Sequence, residues 1–154
     1  DACPPASHAE LLARIPAARQ GTGPLFVARP ESVADVEQCV RCAAELGLSV
    51  SVIGGAHTNH CGLGCVVLDM QRLSDVSVDA ASRTLTVGAG ALASHIQESA
   101  NRQGLMVPLG TAPTVGMGLI LQGGIGHLTR AFGLTLDSLV SAQVVLADGR
   151  CVDA

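Results

Sequence analysis

The spacing of hydrophobic residues in the first part of the chain predicts a strand, a helix and a second strand. Residues 25–28 form a short apolar run that ends before Pro30, because the residue before proline is restricted to extended geometry. Between Ser32 and Gly47 every third or fourth residue is apolar, which is typical of an amphipathic helix with a polar N-cap and a glycine beyond its end. Residues 48–53 then alternate as a strand does. A helix that joins neighbouring strands predicts parallel pairing with a right-handed crossover.

Shorter elements are predicted in the rest of the chain. Residues 65–69 indicate a buried strand, because four consecutive apolar residues precede Asp69, and two short strands follow at 76–78 and 83–87. Residues 91–103 place apolar side chains on one helical face, and a glycine follows directly. The apolar segment over 142–152 is interrupted by an Asp-Gly pair, which is a hairpin signal.

Composition favours one folded domain and excludes several classes of partner. Of 154 residues, 48% are hydrophobic and 14% are charged, and the net charge of −4 comes from nine arginines, no lysine and thirteen carboxylates. Such a balance argues against a nucleic-acid surface or a basic membrane patch. No apolar run reaches the eighteen residues that a membrane-spanning helix needs. We therefore expect neither nucleic acid nor a membrane as a partner.

The front of the chain is weakly patterned. Residues 8–19 resemble a short helix that Pro16 would interrupt, and two glycines and a proline follow. We therefore expect residues 1–22 to be an N-terminal segment and residues 23–154 to be the folded domain. Because the sequence starts without Met and stops just after a turn signal, we interpret it as a piece of a longer protein.

A first glycine-rich stretch, over residues 54–62, follows the second predicted strand and contains Gly54, Gly55, Ala56 and His57. Small residues allow a ligand to touch the backbone, and successive N–H groups in such a turn can bind an anion without lysine. A tight surface turn is the simpler interpretation of an isolated Gly-Gly pair.

A second stretch, over residues 110–130, holds six glycines in an apolar context. Glycine inside a regular element costs about 0.5–1 kcal/mol relative to alanine, so this enrichment suggests close backbone approach to a flat or extended ligand. For residues 118–122 alone, a glycine-rich helix packed on a neighbour explains the pattern equally well.

Two rival sites fit parts of the same sequence. Residues 88–93 match the G-x-G-x-x-A form of a nicotinamide-cofactor fingerprint, but no carboxylate lies between Glu98 and Asp137 to bind the ribose, so a strand-to-helix turn is the preferred interpretation. Within nine residues the chain also offers His57, His60, Cys61 and Cys65, a ligand set that could hold a structural zinc ion. The six cysteines leave the redox compartment open.

The order of several motifs resembles that of one family. They are Arg29-Pro30-Glu31-Ser32-Val33, Asp35-Val36, Gly54-Gly55-Ala56-His57, Leu68-Asp69, Thr114-Val115-Gly116, Gly123-Gly124-Ile125-Gly126, Arg130, Gly133-Leu134-Thr135, Asp137 and Ala147-Asp148-Gly149-Arg150. In this order they resemble the FAD-binding domain of berberine-bridge-enzyme-like FAD-linked oxidases, within the vanillyl-alcohol oxidase and p-cresol methylhydroxylase superfamily. The resemblance runs from about Gly23 to the end of the chain.

The resemblance implies an α+β FAD-binding domain of the PCMH type. It would consist of two small α/β subdomains, a parallel strand-helix-strand part before about residue 70 and a more antiparallel part after it, with FAD between them. The histidine that the family bonds to the flavin falls on His57, and His60 is the second choice because this loop is one residue longer than the usual pattern. The other positions implied to contact FAD are Gly54, Gly55, Ala56, Thr58, Asn59, Thr111, Ala112, Val115, Gly116, Gly118, Gly123 and Gly126.

The chain departs from the family pattern at three positions. Ala112 stands where some members carry a second flavin-linked cysteine, which implies attachment through one histidine alone. Gln122 and Ile125 replace a glycine and a tyrosine of the family motif.

By resemblance, the complete enzyme would pass a hydride from an alcohol-type or secondary-metabolite substrate to covalently held FAD and then to molecular oxygen, giving hydrogen peroxide. The small-molecule substrate would contact a substrate domain absent from this chain, and no residue of the chain is a convincing catalytic base. This chain alone is therefore expected to hold the cofactor without turnover. A catalytically silent interaction domain that keeps the fold is the remaining alternative.

Overall fold

The computed structural model describes residues 26–57 and 64–154, and the helix predicted over residues 8–19 lies outside them. Its first element is a three-stranded parallel sheet built from β1 (Phe26–Ala28), β2 (Val50–Ile53) and β3 (Val66–Asp69). The strands β1 and β2 are parallel, as the sequence predicts, but they do not pair with each other. Instead β3 lies between them and pairs with both, giving the order β1-β3-β2.

The central strand β3 carries the core of this sheet, and all four of its residues are buried. Successive side chains of β3 enter two different hydrophobic clusters. Val67 packs with Val27 and Ile53, and Leu68 packs with Ala43 of the helix that joins β1 to β2. A strand that is covered on both faces has a continuous apolar sequence, which is why residues 65–68 show no alternation of apolar and polar residues.

Helix α1 (Val33–Glu45) joins β1 to β2 and begins and ends as its sequence predicts. The Ser32 hydroxyl accepts a hydrogen bond from the Asp35 amide at 3.2 Å, and the Asp35 carboxylate accepts from the Ser32 amide at 2.9 Å. A hydrogen bond from the Glu31 amide, with further contributions from Ser32, lowers the pKa of Asp35. Beyond the helix, Gly47 adopts φ +65°, a left-handed conformation that favours glycine.

The second part of the chain contains an antiparallel hairpin and a helix that share one hydrophobic core, the second core of the fold. Strands β4 (Val76–Asp79) and β5 (Thr84–Val87) pair with each other, and helix α2 (Ala93–Asn101) follows them. Ile96 of this helix is buried in a cluster against which side chains of both strands pack. The predicted helix over 91–103 is thus confirmed with slightly narrower bounds.

The turn between β5 and α2 explains the glycines at 88 and 90. A Cβ on Gly88 would collide with the Leu73 carbonyl, and one on Gly90 would collide with the Met70 carbonyl. These glycines therefore let two segments of the chain cross in contact, which agrees with the strand-to-helix turn predicted over 88–93.

The remaining elements are short. Helices α3 (Met117–Ile120) and α4 (Thr129–Phe132) lie within the second glycine-rich stretch, and strands β6 (Gln143–Val145) and β7 (Cys151–Asp153) form the predicted terminal hairpin. Among the described residues, no helix combines the length and apolar character that crossing a membrane requires.

The terminal hairpin packs back on α1. The Arg41 guanidinium donates to the Gly149 carbonyl at 2.8 Å, and the Cys151 amide donates to the Glu37 carboxylate at 3.0 Å. The end of the chain thus contacts the first part of the fold, and the subdomain division near residue 70 stays a prediction.

A largely buried ion pair links the ends of two strands. The Arg29 Nε donates to the Asp69 carboxylate at 3.1 Å, with exposed side-chain fractions of 15% and 0%. The pair ties the end of β1 to the end of β3, and Asp69 also accepts a hydrogen bond from the Gln71 amide at 3.3 Å.

We expect Asp69→Asn to lower the free energy of unfolding by about 3 kcal/mol, because it removes the buried carboxylate charge that pairs with the largely buried Arg29 guanidinium. Chemical denaturation of the purified chain measures this change. Asp75→Asn is the matched control: its side chain is exposed, and the expected effect is within about 0.5 kcal/mol. Equal stability of the two variants would contradict the assigned role of the pair.

Candidate functional site

The candidate site begins where β2 ends. Residues 54–57 follow β2 directly and lie at the carboxyl edge of the parallel sheet, next to the end of β3. In open sheets of parallel strands, ligands bind outside this edge. The fold therefore places the first glycine-rich stretch at a position suited to ligand binding.

The two glycine-rich stretches contact each other through their backbones. A Cβ built on Gly55 would lie 2.6 Å from the Gly116 nitrogen and 2.7 Å from the Thr114 carbonyl oxygen. A Cβ on Gly116 would lie 2.5 Å from the Gly55 nitrogen. Only glycine fits at either position, because any side chain would push the two loops apart.

Helix α2 holds the second of these loops in place. The amides of Ala93 and Ser94, in the first turn of the helix, donate to the carbonyls of Val115 and Pro113 at 2.8 and 2.9 Å. These amides have no acceptor within their own helix, so the loop satisfies them. Residues 113–115 are thereby fixed relative to the second core.

The loop contact brings the imidazole of His57 to Thr114. The His57 Nε2 lies 2.9 Å from the Thr114 hydroxyl oxygen, and both residues are exposed. Ala56, just before the histidine, has φ +59°, a conformation that alanine rarely adopts. The turn at Ala56 directs His57 toward the second loop.

Three successive amides at this junction remain available as donors. Within residues 26–57 and 64–154, the amides of Gly55, Ala56 and His57 donate to no acceptor. Gly55 and Ala56 are half-buried and His57 is exposed. Neighbouring N–H groups of this kind bind phosphate oxygens, so the donor set fits a diphosphate.

Much of the second glycine-rich stretch folds on itself. A Cβ on Gly126 would collide with the Leu109 carbonyl, and one on Gly124 would collide with the Thr135 side chain. The buried Thr135 hydroxyl lies within hydrogen-bond distance of the carbonyls of Pro108 and Gly124 and shares its one proton between them, and Gly123 adopts φ +134°. A side chain on Gly124 or Gly126 would overlap another part of this chain. Close packing within the protein therefore accounts for part of the glycine enrichment without a ligand.

Other predicted positions in this stretch are open. A Cβ added to Gly118 would have no atom within 4 Å, and Thr111 and Ala112 are exposed. The open space at Gly118 argues against the alternative of a tightly packed glycine-rich helix. Val115 is half-buried and packs on the second core.

Several large apolar side chains of the second glycine-rich stretch and of α4 are exposed. Ile125 and Phe132 are 73% and 65% exposed, and Leu119 and Leu121 are also exposed. Exposed large apolar side chains of this kind are available to contact a ligand or another part of a protein.

A cleft of 720 Å³ runs beside α2. It is lined by one face of that helix and, elsewhere, by Val107, Leu109, Gly110, Thr111, Pro113, His127 and Leu128. Thr111 lines this cleft, whereas His57 and Thr114 are absent from its described lining. The cleft therefore adjoins the junction of the two loops without containing it.

Part of the predicted site lies outside the described residues, namely Thr58, Asn59, His60 and Cys61. For this reason the zinc alternative stays a prediction. Within the described ranges no three His, Cys, Asp or Glu side chains are grouped to hold a metal, and Cys65 is buried in the core with Val27 and Ile53.

Sequence reasoning missed Thr114 as a site residue. It stands in the Thr-Val-Gly motif, where the glycine was expected to contact the cofactor and the hydroxyl was given no role. A polar side chain beside a glycine that must contact another loop is the signal that could have identified it.

We expect Gly116→Ala to lower the free energy of unfolding by about 1–3 kcal/mol, because the new methyl group overlaps the Gly55 backbone. Gly118→Ala is the matched control, since it lies in α3 with open space around it and gains up to about 1 kcal/mol of helix propensity. Thermal unfolding of both variants measures the difference. The loop contact is refuted by a Gly116→Ala variant as stable as Gly118→Ala.

Comparison with known proteins agrees with this geometry. Residues 24–154 match the family described as FAD binding domain. Berberine bridge enzyme-like 19 of Arabidopsis thaliana is 34% identical over 164 residues, which cover 97% of this chain and 28% of that protein.

Two solved structures share the fold. The crystal structure of 6-hydroxy-D-nicotine oxidase from Arthrobacter nicotinovorans aligns with a TM-score of 0.90 at 32% identity, over 98% of this chain and 34% of that one. Glucooligosaccharide oxidase from Acremonium strictum is described with a 6-S-cysteinyl, 8α-N1-histidyl FAD. Its structure aligns with a TM-score of 0.80 at 36% identity, over 85% of this chain and 29% of that one. The α+β fold expected from the resemblance is thus confirmed.

The chain spans about a third of the length of the curated relatives it matches. The family match nevertheless covers all of the described residues and the sequence of both glycine-rich stretches. The chain therefore belongs to the FAD-binding-domain family of the FAD-linked oxidoreductases.

Proposed function

We propose that this chain is the FAD-binding part of an oxidase that holds its flavin covalently through His57. The observation that carries the proposal is the junction of the two glycine-rich loops, where an exposed imidazole stands beside three available amides. Membership of the FAD-binding family makes FAD the ligand that this junction would take.

The residues at the junction fit the two chemically distinct parts of FAD. The amides of residues 55–57 suit the diphosphate, which backbone donors can bind without lysine. The exposed apolar side chains around α3 and α4 suit the flat isoalloxazine ring. In this proposal Gly54, Gly55, Ala56, Thr58 and Asn59 approach the diphosphate, and Thr111, Ala112, Val115, Gly116, Gly118, Gly123 and Gly126 line the rest of the cofactor.

A single covalent link is proposed. The related glucooligosaccharide oxidase carries both a histidyl and a cysteinyl bond to its FAD. Here Ala112 occupies the position that the resemblance assigns to the cysteine, so only an imidazole is available for attachment. A neutral imidazole has the nucleophilic nitrogen that the bond requires.

The proposed whole protein oxidises a small alcohol-type molecule. When bound, FAD accepts a hydride from such a substrate and passes the electrons to oxygen, which becomes hydrogen peroxide. This chain's residues bind and orient the cofactor. The substrate pocket and the base are assigned to a separate substrate domain, in line with the chain's share of its relatives' length. Residues 23–154 form the flavin domain in this proposal.

We expect His57→Ala to abolish acid-stable flavin, because it removes the nucleophilic nitrogen. The wild-type chain, produced with FAD and precipitated with acid, retains its yellow colour in the pellet, whereas the variant releases it to the supernatant. Absorbance of the two fractions measures the loss. His127→Ala removes another exposed imidazole from outside the junction and serves as the control that keeps the colour.

His60→Ala separates the two candidate histidines. Colour retained in His57→Ala and lost in His60→Ala would move the tether to His60. A wild-type chain that takes up no FAD would favour the silent interaction domain, and stoichiometric zinc in the isolated protein would favour the metal site.

A further inference from the structure

We propose that Thr114 is the positioning residue for His57, holding the imidazole so that Nδ1 is the nitrogen presented to the cofactor. The inference rests on the proposed function, in which His57 forms the bond to FAD. It adds a role for a side chain on the opposite loop, whose hydroxyl lies 2.9 Å from the His57 Nε2.

The backbone of Thr114 is fixed on both sides. The carbonyls of Pro113 and Val115 accept hydrogen bonds from the first turn of α2, at 2.9 and 2.8 Å. These bonds use backbone atoms only, so they leave the Thr114 hydroxyl free to bind another group. A β-branched side chain on a fixed backbone also has few rotamers, which keeps the hydroxyl in one place.

The His57 side is fixed by the loop contact. Gly55 lies against the backbone of residues 114–116, and Ala56 turns the chain so that the next side chain faces the same segment. The distance between the Thr114 hydroxyl and the imidazole is therefore set by backbone packing. Without the hydroxyl, an exposed imidazole at this position would rotate between several rotamers.

The hydrogen bond between Thr114 and Nε2 makes the two nitrogens of the His57 ring chemically different. Within the described residues Nδ1 has no hydrogen-bond partner, whereas Nε2 is bound to Thr114. When Nε2–H donates to the hydroxyl oxygen, Nδ1 carries the lone pair and can act as a nucleophile. The hydroxyl also stabilises the positive charge that builds up on the ring as Nδ1 forms a bond.

The bond-forming step balances with oxygen as the oxidant of the proposed function. The Nδ1 lone pair forms a bond to the 8α carbon of the flavin, and one hydrogen of that methyl group leaves as a proton. The Nε2 proton leaves to solvent after the bond has formed. Two electrons remain on the flavin and pass with these two protons to oxygen, which gives hydrogen peroxide.

The first arm of the test needs no cofactor. In the 154-residue chain labelled with 13C-histidine, NMR relaxation of the ring carbons reports how firmly the His57 imidazole is held. We expect a restricted ring in the wild type and in Thr114→Ser, and a mobile ring in Thr114→Val. Equal ring mobility in all three proteins would overturn the positioning role.

The second arm measures attachment after FAD is added in air to flavin-free protein. We expect Thr114→Val to form acid-stable flavin about fivefold more slowly, the fold-change that corresponds to loss of one hydrogen bond, and Thr114→Ser to restore the rate. Proteolytic digestion of the wild type should release histidyl-flavin linked through Nδ1. Digestion of Thr114→Val should release a mixture of histidyl-flavins linked through Nδ1 and through Nε2. Thr86→Val, an exposed threonine of β5, is the control.

The two proposals fail in different ways. If His57→Ala takes up no acid-stable flavin while Thr114→Val attaches at the wild-type rate and through the same nitrogen, Thr114 has no positioning role and the tether stands. If His57→Ala still gains acid-stable flavin, the tether is wrong, and ring mobility alone decides whether Thr114 holds the imidazole. Thermal unfolding of each variant confirms that it is folded.

Discussion

The contact between Gly55 and Gly116 determines the arrangement of the whole site. The two backbones approach so closely that a methyl group on either residue would lie 2.5–2.6 Å from a nitrogen of the other loop. The first loop is fixed by the end of β2, and the second by the first turn of α2. This one contact therefore joins the parallel sheet to the second core and places His57 beside Thr114.

The site depends on backbone groups rather than on charged side chains. The chain contains no lysine, and the three available amides at the junction belong to the candidate histidine and the two residues before it. Backbone amides carry fixed partial charges whose orientation is set by the fold, so they can bind a diphosphate without ordering flexible side chains. The arrangement lowers stability, since glycine loses more conformational freedom on folding than any other residue.

Local elements could be predicted from the sequence because their signals are local. Ser32 at the start of α1 and Gly47 beyond its end are local signals, and so are the patterns of helix α2 and of the terminal Asp-Gly hairpin. Each depends on residues only a few positions apart. The strand order could not be predicted in the same way. The spacing of apolar residues shows that β3 is buried, but it does not show which strands pair, and β3 proves to separate β1 from β2.

The glycines likewise show that the sequence does not reveal which distant segments come into contact. Their enrichment in two stretches predicted close backbone approach to a ligand, and in the structure Gly55 and Gly116 approach each other. The sequence could not distinguish a ligand from another loop as the neighbour, because both require the absence of a side chain. For the same reason Thr114 was missed: its importance comes from the contact with a residue 57 positions away.

Amide-resolved NMR of the 15N-labelled chain during a titration with FAD is the most direct test of the account. We predict that the resonances of Gly55, Ala56 and His57 shift together with those of residues 116–118, because one cofactor contacts both loops. Shifts confined to the turn at residues 88–93, with both loops unchanged, would contradict the account.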